Sequence, residues 1–304
     1  MVKKIMLCLL LVSEPCFART LKVGQGAPFP TLSAAIQAAH AGDTVSIQPG
    51  EYHDCAVLAQ NGLTVEGVGR PEAVVFTGRI CQRKAALVTT GSNITIRNLT
   101  LAHLRGPEGN GAGIRAEGGD LTVERVRFID DEDGILAAPS PAATITVRDS
   151  VFERNGACNP ACAHGIYVGP LALLRVERSR FFETRVAHHI KSRAARTEVV
   201  ECDLADGVHG TSSYAIELPN GGALLAVGNT IQKGQYASNP VVISIGAEGV
   251  KQPPGEIRIE GNRLTLGGTE SVVFVRNLTP VPATLIGNRL PEGVMALEGP
   301  GTVR

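Results

Sequence analysis

Between Val186 and Cys202 the chain reads VAHHIKSRAARTEVVEC, which places two histidines, a lysine and two arginines within eleven residues. Imidazoles carry protons near neutral pH, and ammonium and guanidinium groups hold anions. Together they suit proton transfer beside a bound carboxylate. Whether these side chains meet depends on the elements that carry them.

Those elements repeat. NITIRNLTL from Asn93, DLTVERVRF from Asp120, TITVRDSVF from Thr144, LLRVERSRF from Leu173 and RTEVVECDL from Arg196 share one pattern. LLAVGNTI from Leu224, EIRIEGNRL from Glu256 and ATLIGNRL from Ala283 continue it. Each is a short alternating strand, then a polar residue, then further apolar residues. A second strand recurs between them, anchored on Ile114, Ile135, Ile166, Ile190, Ile216, Ile243 and Phe274, at spacings of 21 to 31 residues. Such a period, with short β-branched strands bounded by Gly, Pro, Asn and Asp, predicts a solenoid of stacked coils. The fold expected is all-β: a single-stranded right-handed parallel β-helix over residues 19–304. A capping segment at about 29–42 contains an amphipathic helix with Leu32, Ile36 and Ala39 on one face, covering the first open edge.

Stacking turns distant residues into neighbours. Side chains alternate along a strand, so the residue after each inward anchor points outward. That column holds Arg115, Leu136, Tyr167, Lys191, Glu217, Ser244 and Val275. Two residues before the anchors lie Asp133, His164, His188 and Tyr214, expected to turn outward where the loop enters the strand. Arg193 stands at the far end of its strand, and Asn220 with Gly221 and Gly222 forms a shaped loop nearby. The middle coils therefore predict a groove. Lys191, with a pKa lowered by neighbouring cations, is the expected base. His188 or Tyr214 is the acid, and Arg193 or Arg115 holds a carboxylate. His164, Tyr167, Glu217, Asp133 and Asn220 line the rest. Glu217 beside Lys191 reads as a surface ion pair. The coils after Val241 show no chemistry.

The segment FPTLSAAIQAAHAGDTVSIQPGEYHD, Phe29 to Asp54, with the coils after it, resembles the opening of the pectin-lyase-like superfamily of secreted β-helix proteins. The resemblance covers most of residues 22–304 and implies fold more strongly than chemistry, because that superfamily hosts lyases, hydrolases, esterases, epimerases and non-catalytic adhesins. HIKSRAARTEVVECDL further resembles the lysine-bearing coil of the chondroitinase-B and alginate-lyase family. By that resemblance Lys191 matches the catalytic lysine and Ser192 the serine that follows it. The next coil departs from the family, carrying YAIELPNGG with Glu217 where an arginine belongs. The resemblance implies an acidic polysaccharide as partner, with lyase or C5-epimerase chemistry on a uronate. The rival expectation is a non-catalytic carbohydrate-binding or surface-structural β-helix.

Composition narrows the alternatives. The 304 residues carry 29 basic and 29 acidic side chains, so global charge makes no case for nucleic acid. Lys3 and Lys4 precede the apolar run IMLCLLLV and a small residue at Ala18, a pattern expected of a secretory signal peptide over residues 1–18. That run is too short to span a bilayer. The mature chain is then expected to be secreted or periplasmic, without membrane insertion. Export permits disulfides. Cys55 with Cys81 and Cys158 with Cys162 are the natural pairs, though sequence alone does not decide the pairing, and Cys202 would remain a buried thiol. CNPAC at 158–162 lacks a second cysteine pair, and DDED at Asp130–Asp133, the one local candidate for calcium, is explained equally well by an exposed loop, so no metal or other cofactor is expected. GPEGNGAG, residues 106–113, opens no helix, and no phosphate loop, dinucleotide fingerprint or nucleophile elbow is present.

Overall fold

The computed structural model describes residues 18–268 and 271–304. Nearly all of the leader expected over 1–18, including Cys8 and Cys16, lies outside the described residues. Among the described residues the strands form one 19-stranded and one 10-stranded sheet, parallel throughout, plus a two-stranded antiparallel hairpin. Each strand pairs with its counterpart one coil away, which makes the molecule a parallel β-solenoid of about ten turns. Among the described residues no helix is long and apolar enough to cross a membrane.

The ten-stranded sheet is built on the predicted anchors. Ile114, Ile135, Ile166, Ile190, Ile216 and Ile243 stack in register, and all are fully buried. Each contributes roughly 1.5–3 kcal/mol by leaving water. The last expected register is corrected by one residue. Val275, not Phe274, pairs with Ile243, so Arg276 rather than Val275 continues the outward column beside Ser244. Phe274 and Val275 are both fully buried, and alternation is lost there.

The polar residue that recurs in the repeats has a structural cause. Asn98, Arg125, Asp149, Arg178, Glu201, Gly228, Gly261 and Gly287 each adopt a positive φ, between 44° and 67°, and bend the coil. The residue after each bend points inside. In the later coils these are Asn229, Asn262 and Asn288, which form a ladder: Asn262 Oδ1 accepts from Asn229 N–H at 2.9 Å, and Asn288 Oδ1 from Asn262 N–H at 3.0 Å. Cys202 donates its own N–H to Asn229 Oδ1 at 2.8 Å, so it occupies an asparagine position in this ladder. Burial pushes its thiol up to about 12.

A second internal file explains the repeated Gly-Ile pairs. Phe128, Phe152 and Phe181 stack with centroids 4.5 and 4.4 Å apart. A Cβ at Gly113 or Gly134 would lie 2.6 or 2.7 Å from these rings, so only glycine fits before the anchor. His189 takes the corresponding place one coil beyond Gly165, its ring 6.1 Å from that of Phe181.

The N-terminal helix is shorter than the 29–42 segment expected to cap the stack. It spans Leu32–Ala38, with Thr31 Oγ1 accepting the Ala34 N–H at 3.2 Å. It buries Leu32, Ala35 and Ile36 and packs against strands Thr20–Val23, Thr44–Ile47 and Ala56–Leu58. Disulfides join Cys55 to Cys81 and Cys158 to Cys162, and Cys202 is a buried free thiol.

Candidate functional site

Strands Ile166–Val168, Ile190–Ser192 and Ile216–Leu218 lie side by side in the ten-stranded sheet. Their register puts Tyr167, Lys191 and Glu217 in one outward column. Just before these strands the rings of His164, His188 and Tyr214 form a file, with successive centroids 4.9 Å apart. His164, Tyr167, His188 and Lys191 line an open cleft of about 540 Å³, together with Cys158, Cys162, Val186, Ala187, Ser213 and Ser238. A larger cleft of about 690 Å³ near the helix collects Glu51, Tyr52, His53 and Asp54 but no lysine or arginine. The middle cleft is the chemically convergent one.

Its electrostatics differ from expectation. Lys191 Nζ lies 3.1 Å from Glu217 Oε2 and 2.9 Å from Glu248 Oε1. Burial works against its ammonium, but the two carboxylates outweigh burial and hold the pKa above the usual lysine value. The expected lowering by neighbouring cations is therefore corrected. Glu217 is itself buried, 4% exposed, and not part of a surface pair. Burial would raise its pKa, yet His188 and Lys191 outweigh burial and keep it below the usual carboxylate range. Its Oε2 sits 2.9 Å from His188 Nε2 as well as 3.1 Å from Lys191, distances of an ion pair, with angles short of hydrogen bonds. The contact is electrostatic.

Arg193 binds three partners at once. Its Nε donates to the Tyr167 hydroxyl oxygen at 2.9 Å, Nη1 to Asn220 Oδ1 at 2.5 Å and Nη2 to Glu248 Oε2 at 2.7 Å. Glu248 thus bridges Lys191 and Arg193, one oxygen to each. It comes from the loop after strand Val241–Ile245, a region expected to carry no chemistry, and sequence reading missed it. Asn239, from the same later coil, was also missed and donates to the Tyr214 hydroxyl at 3.2 Å. Loop residues carry no strand period, so no signal placed them.

The imidazoles are held by backbone. His164 Nδ1 accepts the His188 N–H at 3.3 Å, and His188 Nδ1 accepts the Tyr214 N–H at 3.4 Å. Both acceptor roles place the ring proton on Nε2. Burial, then the neighbouring His188, Lys191 and Arg193, push His164 well below its ordinary pKa.

Two predicted residues lie outside this group. Asp133 does not turn outward into the groove. It is 1% exposed, and its Oδ1 accepts the His164 N–H at 2.6 Å. Burial outweighs that bond and raises its carboxyl well above the usual range. Arg115 pairs with Glu117 at 3.0 Å and is separated from Tyr167 by Leu136 in the column. DDED is likewise no exposed loop: Asp131 is also buried, and Glu132 accepts the N–H groups of Gly106 and Gly111. Ser192 points inward to Thr197, 2.7 Å between hydroxyls. Among the described residues no three acidic, histidine or cysteine side chains are grouped to hold a metal.

Behind the cleft is a buried polar cluster that sequence reading did not single out. His189 reaches Thr184 Oγ1 at 2.7 Å and Asp206 Oδ1 at 3.1 Å, and Asp206 Oδ2 accepts the Gly234 N–H at 2.8 Å. Lys233 donates to the Ser213 carbonyl, and burial pushes its amine down to about 8 against the pull of Asp206.

The architecture is that of the pectin-lyase-like parallel β-helices. No family model matches the sequence. Among solved structures, an alginate lyase from Paenibacillus sp. str. FPU-7 superposes with a TM-score of 0.71 at 16% identity, over 93% of this chain and 99% of that one. The deglycosylated pectin methylesterase from Aspergillus niger gives 0.53 at 12% identity, over 96% and 93% of the two chains. The rice weevil pectin methyl esterase gives 0.50 at 11%, over 72% and 79%. At these identities the likeness is one of fold.

Proposed function

We propose that this protein acts on an acidic polysaccharide by β-elimination at a uronate, at the cleft of His164, Tyr167, His188 and Lys191. The observation that carries the reading is the Lys191–Arg193 cation pair beside the Tyr167 hydroxyl. Proton abstraction next to a carboxylate needs the carboxylate's charge neutralised, and two cations side by side supply that. Lys191 is held as an ammonium, so it serves as the clamp and proton donor rather than the base. We assign the base to Tyr167, because the Arg193 Nε–H on its oxygen stabilises negative charge there. With its hydroxyl proton first released to solvent, Tyr167 takes the C5 proton as a phenolate, the electron pair forms the C4–C5 double bond as the C4–O bond breaks, and the Lys191 ammonium gives the leaving oxygen its proton. C5 epimerisation shares the first step. His188 is a positioning residue, its Nε2 2.9 Å from Glu217 Oε2. The fold likeness to an alginate lyase and pectin methylesterases supports a polyuronate partner. The charged, apolar start of the sequence and the two disulfides support a secreted or periplasmic location.

The test is ultraviolet absorbance of the unsaturated uronate across a panel of uronate polymers. Tyr167→Phe should lower kcat by at least about 100-fold with KM little changed, and Lys191→Ala should lower kcat and raise KM. The locking of Lys191 between two carboxylates favours a second reading, a binding module without turnover. Silence across the panel, with retention on one polymer in affinity electrophoresis, would select it.

A further inference from the structure

We infer that Glu248 occupies the seat of a substrate carboxylate and must vacate it when a uronate binds, so this side chain gates affinity and selectivity. The inference rests on the polysaccharide reading above. Glu248 presents the same functional group that a uronate would bring. One oxygen meets Lys191 at 2.9 Å and the other meets Arg193 at 2.7 Å, which uses both cations on one carboxylate.

The two carboxylates at this site are not equivalent. Glu217 has a side chain 5% exposed and stands in the strand column, between His188 and Lys191. It is the permanent counter-ion. Glu248 has a side chain 44% exposed and stands on a loop. Its backbone is held independently of its carboxylate: Glu248 N–H donates to Pro219 O at 2.8 Å, Lys251 N–H to Asn220 O at 3.0 Å, and Asn220 Nδ2 to Gly249 O at 3.2 Å. Rotation about side-chain bonds frees the cations without moving the loop.

Charge balance demands the exchange. Lys191 and Arg193 are matched by Glu217 and Glu248, and a uronate arriving beside a retained Glu248 adds an unmatched negative charge at close range. Replacing one carboxylate by another preserves the balance. A neutral polysaccharide brings no carboxylate to the two cations, so it neither displaces Glu248 nor gains from its removal.

The experiment is calorimetric titration of the full chain and of Glu248→Gln with alginate and oligogalacturonate tetrasaccharides, and with a neutral cello-tetraose as control. Circular dichroism confirms that the variant folds. Removing the competing charge should tighten uronate binding by about tenfold and leave the neutral oligomer unbound. Unchanged or weaker uronate binding by Glu248→Gln, with binding by the parent chain, would overturn the inference alone. No uronate binding by either folded protein would overturn the polysaccharide reading and the inference with it.

Discussion

A carboxylate is useful in this molecule according to what faces it. Asp133 and Asp206 are both 1% exposed, yet they titrate in opposite directions. Asp133 meets one backbone N–H, and burial wins. Burial also opposes ionisation of Asp206, but the His189 hydrogen bond, the Lys233 ammonium and the Gly234 N–H outweigh it and hold the carboxyl at about 2, below the usual 3.8. The unfolded chain therefore takes up this proton before the folded one does. The stabilisation, about 2 kcal/mol, is complete above roughly pH 4 and is lost as pH falls toward 2. Denaturant titrations across that window should show the loss in the parent chain. Asp206→Asn should be less stable at pH 7 and should lack that part of the slope; an identical slope would place the acid sensitivity elsewhere.

Strands and loops were unequally legible. Tyr167, Lys191 and Glu217 could be set in one column because strand alternation and coil spacing fix where such residues sit, whereas His164, His188 and Tyr214 were aligned by coil spacing alone, at the loop entry where alternation does not set direction. Glu248 was not found, because it enters from a loop, 57 residues after the lysine it contacts. The charge state of Lys191 was misread for the same reason: half of its counter-charge arrives from that loop. The slip at Phe274 and Val275 has another origin, since two adjacent buried apolar residues erase the period of two. The disulfides also divide by element. Cys55–Cys81 closes 26 residues of chain, and Cys158–Cys162 closes 4, in the hairpin that walls the cleft. Loop-closure entropy assigns them about 3.5 and about 2 kcal/mol. Serine pairs at each site, compared by chemical denaturation, should show that order. Only the Cys158→Ser, Cys162→Ser protein should also lose affinity for a uronate oligomer.

The whole molecule carries its chemistry in a short span of its length. The outward column is apolar at Leu136, carries Tyr167, Lys191 and Glu217 in the middle coils, and is uncharged again at Ser244. At roughly 4.8 Å per coil, the reactive part covers about 10–15 Å of the stack. The chain as a whole is neutral, so no long-range field draws a polyanion along the molecule. Affinity for uronate oligomers should therefore rise over the first few sugars and then level off. Titration with a ladder of oligomer lengths checks this. A gain that continues with every added sugar would mean a surface much longer than the cleft.

The positive-φ bend recurs from coil to coil, joined in the later coils by the internal file of asparagines, so successive coils turn in the same way. Change in such a molecule is quantised. A single residue inserted within a strand exchanges inside for outside in that coil and sets a charge against Ile190 or Ile216. A whole coil added between two others changes nothing for its neighbours, because each presents the same edge. Lineages descending from this architecture can gain or lose length in coil-sized steps, while the three rungs that hold the cleft pass through unchanged.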